Sequence, residues 1–400
     1  MSQSSAAVRP EAIRRHNLSL ILGHIHRDGA LTRAALTQRL GVSRSTIGAL
    51  VAELTQLGIV EEVVPSGGAG VGRPSHVVAP HKRGPYAVAV DVDVAHVTVA
   101  AVGLGGEVLA RRVVITEVPA SAEAVAALVA EAMPIVQAEA CPDARPAGIG
   151  ASVPGTVDRR TGHVGVAPNL GWHDAPFGAL LADLAPPGMP IAIGNDADLA
   201  ALAEHQRGSA RGIDDVVYVM GRIGVGAGIL IGGVPLLGRD GHAGEIGHNV
   251  LDPTGPECHC GKRGCVEVYV GGAALLERAG RPLPPNDEAV AAVIADAHRG
   301  DARALAAVCG IAEPLGRTIA ALLNTLNPQL VLLGGSFAEV LRLAHRELED
   351  SLERYALEAP NRTVQLLEPA LGADSALLGA AEIAFTALLE DPVGATALVG

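Results

Sequence analysis

Three of the chain's five cysteines fall within eight residues, in the run Cys258-His259-Cys260-Gly261-Lys262-Arg263-Gly264-Cys265. In a reducing compartment a loop with thiols at that density is a metal loop rather than a disulfide framework. With His248 upstream, the run offers three thiolates and one imidazole, a closed tetrahedral set for zinc that leaves no open position for catalysis. Gly261 and Gly264 let the backbone wrap an ion. His259 competes with His248 for the fourth place, but the adjacent Cys258 and Cys260 already strain the geometry there, which favours His248. Ordinary buried thiols, the plainer alternative, do not account for the spacing.

The reducing compartment is itself an expectation. Residues 1–15 lack the apolar core of an export signal, and no stretch offers 18 uncharged apolar residues for a membrane span. A cytoplasmic protein with no membrane contact is therefore expected. At 400 residues the chain exceeds one compact core, so two or three domains are expected. Aromatics are only 2% of the chain, so Ala, Val, Leu and Ile must fill those cores.

Charge divides the chain. Residues 1–85 hold ten Arg and Lys against five acids, although the whole chain carries −13. A basic head on an acidic body suits a polyanionic partner for the head alone. Leu18, Ile21, Leu22 and Ile25 follow helical spacing and predict a helix over residues 16–26. Thr32 is placed to cap a second helix over 33–40. Ser43 is placed to cap a third, with Ile47, Leu50, Val51, Leu54 and Leu57 on one face and Gly58 at its end. Two helices joined by a short turn form the helix-turn-helix arrangement. The opening of the third helix, Ser43-Arg44-Ser45-Thr46, is polar and slim enough to enter a major groove, where Arg44 can bond a guanine edge. Arg33 joins this candidate DNA-contact set. A strand over 59–64, a glycine-rich tip, Arg73-Pro74 and an apolar return over 77–79 predict a wing, with Arg73 reaching a minor groove or phosphate. A three-helix protein-interaction module competes with this reading. The polar reading turn, the wing and the charge favour a winged helix-turn-helix over residues 1–80, followed by a linker at 81–85.

From residue 86 the pattern is α/β. Val- and Ala-rich strands are expected over 86–102 (with a turn at 93–95), 108–114, 147–152, 191–193, 216–220, 226–231 and 330–333. Helices are expected over 122–138, 198–207, 314–326 and 375–389. Asn195-Asp196 follows an apolar strand, at the end where ligands bind in such folds. Glu245 precedes His248 by three residues and Glu267 follows Cys265 by two, so a metal knot would hold both glutamates in place. Carboxylates and an amide converging on a cleft suit a polyhydroxylated ligand such as a sugar. The glycine-rich run Gly221-Arg222-Ile223-Gly224-Val225-Gly226-Ala227-Gly228 reads either as a phosphate cradle or as a tight hairpin.

These segments resemble the ROK family, whose repressors and sugar kinases share an actin-like, hexokinase-like body. The resemblance rests on Pro154-Gly155-Thr156-Val157-Asp158, Ala167-Pro168-Asn169-Leu170-Gly171-Trp172, Asn195-Asp196-Ala197-Asp198, Ala243-Gly244-Glu245-Ile246-Gly247-His248 and the cysteine run ending at Glu267. Asn327-Pro328 and Gly334-Gly335 add to it, and the head with Gly72-Arg73-Pro74 is similar to the repressor branch. It implies a two-lobed body over 86–400, with one lobe of about 86–190 plus 375–400 and the other of about 191–374. It implies sugar contacts from Asn169, Asn195, Asp196, Glu245, His248 and Glu267, with Gly155 in a neighbouring backbone loop. Asp196 matches the kinases' catalytic base, and His248 would hold zinc through one ring nitrogen and a sugar hydroxyl through the other.

Two departures decide between the branches. Family kinases open with Asp-x-Gly-Gly-Thr, where backbone approaches the ATP phosphates. The matching stretch here is Asp91-Val92-Asp93-Val94-Ala95-His96, which adds side chains and a charge. The second phosphate loop, Gly-Thr-Gly in kinases, reads Arg222-Ile223-Gly224. Asp198, where the family more often has Asn, is a milder departure. The expectation is a sugar-responsive transcriptional regulator, most simply a repressor and not an enzyme. It would need zinc but no ATP, and would act as a homodimer or homotetramer on operator DNA. An active sugar kinase with a DNA-binding head and a zinc-sensing regulator are the alternatives.

Overall fold

The head is built by caps. In the computed structural model, which describes residues 10–63, 76–116, 120–141, 144 and 146–399, helix α1 spans Pro10–Asp28. It starts earlier than its apolar spacing predicts, because Glu11 pairs with Arg14 and Arg15 along the first turns. Strand β1 (Leu31–Thr32) leads into α2 (Arg33–Leu40), where the Thr32 hydroxyl accepts the Ala35 N–H at 3.1 Å. Helix α3 (Arg44–Gln56) starts the same way, with Ser43 accepting the Thr46 N–H at 3.1 Å. Gly58, at φ 70°, takes the left-handed conformation that ends α3. Strands β2 (Val60–Val63) and β3 (Val77–Pro80) pair antiparallel, and β1 pairs on the other side of β3. β1 was not expected from sequence, because two residues carry no periodicity. The wing tip and Arg73 lie outside the described residues.

The first sheet of the body is assembled from β4 (Tyr86–Val92), β5 (His96–Gly103) and β6 (Val108–Ile115), then α4 (Ala122–Ala140), β7 (Pro146–Val153) and a small antiparallel sheet of β8 (Val157–Asp158), β9 (His163–Ala167) and β10 (Trp172–Ala175). Helix α5 (Phe177–Leu184) and β11 (Ile191–Asn195) follow. The strand order is β11-β7-β4-β5-β6, with β7 and β11 parallel to β4. Every residue of β4 is buried. The border expected near residue 191 needs correction: β11 is hydrogen-bonded to β7, so residues 191–195 belong to the first sheet.

Helix α6 (Asp196–Arg207) then leads to the second sheet. This comprises β12 (Val216–Gly221), β13 (Val225–Ile231) and β14 (Val234–Pro235). After the metal-loop segment come α7 (Glu267–Val270), α8 (Gly272–Ala279), α9 (Asp287–His298), α10 (Ala302–Leu326), β15 (Leu330–Gly335), α11 (Ser336–Leu343), α12 (His345–Tyr355), α13 (Glu358–Thr363) and β16 (Gln365–Leu367). The strand order is β14-β13-β12-β15-β16, with β15 parallel to both neighbours. Helix α10 begins well before the expected Pro314, capped by Asp301, and carries the proline inside. It is long and apolar enough to cross a bilayer, but most of it is buried in the core beneath this sheet. The expected final helix is broken at Phe385 into α14 (Ser375–Ala384) and α15 (Thr386–Glu390), followed by α16 (Pro392–Val399).

Head and body share one apolar cluster. Leu18, Ile21 and Ile25 of α1 belong with Ala87 and Val102 of the first sheet and Leu377, Phe385 and Leu388 of the C-terminal helices. A polar joint is set into this cluster. His26 Nε2 lies 2.9 Å from Glu382 Oε2, and Gly105 N–H donates to His26 Nδ1 at 3.2 Å. Arg207, the last residue of α6, donates to Glu382 Oε1 (2.7 Å), to the Gly105 carbonyl (2.7 Å) and to the His26 carbonyl (2.9 Å).

Candidate functional site

The cleft is organised by the turn from β11 into α6. The Asn195 side chain caps α6, with Oδ1 accepting the N–H groups of Ala197 and Asp198 at 2.9 and 3.2 Å. Its Nδ2 donates to the Gly155 carbonyl at 3.0 Å, which clips the β7–β8 loop beside it. Gly155 leaves no room for a side chain, because a Cβ there would lie 2.5 Å from the Val166 carbonyl oxygen. Asp196 opens the helix, with Oδ1 accepting the Ala197 N–H at 2.9 Å. Burial pushes its carboxyl up to about 7, against the pull of Arg222. Behind it Asp198 also rises to about 7, again chiefly through burial.

The opposite wall is the β12–β13 hairpin with the start of α7. The glycine run is a hairpin, since Gly221 pairs with Val225 across the turn. Glu267 Oε2 accepts the Val225 N–H at 3.0 Å, and Oε1 lies 3.1 Å from His259 Nδ1. A Cβ on Gly224 would lie 2.8 Å from Glu267 Oε2 and 3.0 Å from Asn169 Nδ2, so glycine is needed where these two side chains converge. Glu245 faces the same space, and burial raises its carboxyl. The resulting cavity is lined by all six residues expected to contact sugar, Asn169, Asn195, Asp196, Glu245, His248 and Glu267, and by Gly155 of the neighbouring loop.

His248 also forms the edge of the metal loop. Donor atoms of His248, Cys258, Cys260 and Cys265 all lie within 4.8 Å of one another. Cys260 Sγ and Cys265 Sγ are 3.7 Å apart, and Cys258 Sγ is 3.9 Å from His248 Nδ1. Tetrahedral zinc with thiolate bonds of about 2.3 Å has sulfur–sulfur edges of about 3.8 Å. The donor set therefore fits a metal ion. His259 does not join this set of four. It groups with Cys258 and Glu267 and faces the cavity.

Two features were missed from sequence. Asp93 and Arg222, noted there as separate obstacles to phosphate, meet across the cleft, with Arg222 Nη1 donating to Asp93 Oδ2 at 2.7 Å. They lie 129 positions apart in two different turns, so no local signal joins them. The His26–Glu382–Arg207 joint is equally non-local.

In the head, Ser43, Arg44, Ser45 and Thr46 are all exposed at the start of α3. The Ser43 hydroxyl lies 2.8 Å from those of both Ser45 and Thr46. Arg44 makes no ion pair among the described residues. Arg33 is engaged elsewhere: its Nε donates to Glu62 Oε1 at 2.9 Å, tying α2 to β2. Much of the head's positive charge is neutralised in this way, as Arg14, Arg15 and Arg39 also pair with acids.

Residues 87–387 match the ROK family. The chain belongs to the ROK family. Residues 19–70 match the MarR family, so a winged helix-turn-helix precedes the hexokinase-like ROK body. The xylose repressor of Bacillus subtilis (strain 168) is 28% identical over 382 residues, covering 94% of this chain and 97% of the repressor. The glucokinase of Thermotoga maritima is 31% identical over 253 residues, covering 59% of this chain and 78% of the kinase. Among solved structures, a ROK family transcriptional regulator homologous to the E. coli MLC protein superposes with a TM-score of 0.79 at 25% identity, covering 97% of this chain and all of that one. ROK repressors are thus similar over head and body, whereas the kinase is similar over part of the chain.

Proposed function

We propose that this protein is a sugar-responsive transcriptional regulator, a repressor of carbohydrate-metabolism genes. The observation that carries the reading is the placement of α6. Its first residue, Asp196, and its cap, Asn195, line the cavity, and its last residue, Arg207, is locked into the joint with the DNA-binding head. A sugar that draws the two walls together moves one end of this helix relative to the head. In a homodimer or homotetramer, half-sites sit about 34–36 Å apart or at multiples of that spacing, so small changes in head placement cost much operator affinity. The sugar shifts the balance only by its differential affinity for the two arrangements.

In this reading Arg44, with Ser43, Ser45 and Thr46, meets the operator. Asn169, Asp196, Glu245, His248 and Glu267 accept or donate to sugar hydroxyls, while Asn195 and the Gly155 loop shape the wall. A structural zinc held by His248, Cys258, Cys260 and Cys265 would lock the loop and so hold Glu245 and Glu267 at the cavity. Activity as a kinase is the second reading, favoured by the retained Asp196 and the kinase relative. Against it, the Arg222–Asp93 pair stands in the two loops where phosphate groups would need open backbone.

The test is fluorescence anisotropy of labelled DNA from upstream of the protein's own gene, with a panel of sugars added. Specific binding released by one sugar is the expected result. Specific binding that no sugar alters removes the sugar-response reading. Steady turnover of ATP with any sugar at ordinary kinase rates replaces it with the kinase reading.

A further inference from the structure

The cavity is lined by the acids Asp93, Asp196, Glu245 and Glu267, and Arg222 is the only Arg or Lys among the described residues that line it. That cation is already committed. Its guanidinium, 25% exposed, is held from the β12–β13 hairpin against Asp93 in the β4–β5 turn. Asp91, Asp196 and Asp287 face it as well, and together with Asp93 they stabilise its charged form. The acids still outnumber it. Asp91 Oδ1 and Asp287 Oδ2 are buried with no hydrogen-bond partner, and burial raises both carboxyls.

We propose that the pocket takes an uncharged sugar and rejects sugar phosphates, with the Arg222–Asp93 pair setting that choice. The proposal rests on the sugar-pocket reading above and sharpens it to one ligand class. A phosphate monoester brings about −1.5 to −2 charges and needs cationic or N–H donors. Arg222 keeps further N–H groups, but its single charge is already offset by Asp93 and the aspartates around it, so an ester meets a lining that is negative on balance. Every other charged side chain in the lining, apart from any protonated histidine, would repel the ester. The hydroxyls of a neutral sugar are donors, and ionised carboxylates are acceptors only, so Asp196, Glu245 and Glu267 match a polyol without any change of partner.

Isothermal titration of the full-length protein tests this with pairs that differ by one group: glucose against glucose 6-phosphate, N-acetylglucosamine against its 6-phosphate, and xylose against xylose 5-phosphate. The expected result is binding of at least one neutral sugar and at least about tenfold weaker binding of its phosphate. A phosphate that binds more tightly than its parent sugar overturns the proposal but leaves the sugar pocket standing. No binding by either member of any pair overturns both. Asp93→Asn frees Arg222 and removes one charge, so the gap between sugar and phosphate should narrow by about tenfold or more. If Asp93→Asn does not fold, Asp287→Asn carries the same test with a smaller gain. An unchanged gap in a folded variant removes the pair from the selection.

Discussion

Two half-buried arginines organise this molecule in opposite ways. At the joint between head and body, Arg207 and His26 surround Glu382, and the arginine also satisfies two backbone carbonyls. Burial alone would raise the Glu382 carboxyl, but His26 and Arg207 hold it below the usual range. In the cleft, Arg222 faces four aspartates, Asp196 is driven up to about 7, and two carboxylate oxygens have no partner. At the joint both oxygens of Glu382 have a partner, which fixes its geometry. The cleft carries surplus acid that no described residue satisfies, which is how a site kept for something else looks.

The largest expected effect breaks the joint. Arg207→Ala leaves Glu382 buried beside His26 alone and should cost about 3–5 kcal/mol of unfolding free energy, read from urea titration. Arg222→Ala should cost less, because burial already raises the carboxyls of Asp91, Asp196 and Asp287, so they can take up a proton when the arginine is gone. Equal losses would erase the distinction drawn between the two clusters. On the cleft side, Glu245→Ala should weaken sugar binding by about 10–100-fold, or about 1.5–3 kcal/mol, through loss of a charged acceptor. Operator affinity without sugar should stay unchanged. A sugar response at the same concentration as wild type would remove Glu245 from the pocket.

Much of this was legible in the sequence, and the boundary is physical. Caps at Thr32 and Ser43, the strand end at Asn195 and the cysteine spacing are local patterns, and they pointed to the head helices, to Asn195, Asp196, Glu245 and Glu267, and to the metal loop, whereas Gly155 and Asn169 came only with the family resemblance. The joint and the Arg222–Asp93 pair join residues more than a hundred positions apart, and only tertiary packing brings them together. Charge counting reached only part of the way. It pointed to the head as the partner of a polyanion but not to the residues that would meet it, since Arg14, Arg15, Arg33 and Arg39 are tied to acids.

That contrast between committed and available arginines recurs within the head at smaller scale. Arg44→Ala should weaken specific operator binding by about 1–3 kcal/mol and leave the melting temperature unchanged. Arg33→Ala should do the reverse, lowering the melting temperature by loosening α2 from β2 while sparing sequence specificity. Matching effects of the two substitutions on operator binding would place Arg33 back among the DNA contacts.

The smallest effect separates the two regions by pH. A carboxylate held low in the folded state contributes stability that is present above its unfolded pKa and is lost as pH falls through the folded value. Glu382 is of this kind, so the deficit of Glu382→Gln should be largest at pH 8 and shrink in acid. Asp198 behaves oppositely. Burial, with Asp196 and Glu245 adding to it, raises its folded pKa to about 7 against the pull of Arg159, whereas the unfolded chain loses this proton near pH 4. Between those values the folded state binds more protons than the unfolded one, so this residue makes the protein less stable as pH rises towards 7, with no further change above it. Asp198→Asn should therefore gain more over wild type at pH 8 than near pH 4.5, read from urea midpoints at the two pH values. A gain of the same size at both would mean that the asparagine packs better and that the surplus acid of the cleft carries no cost to the fold.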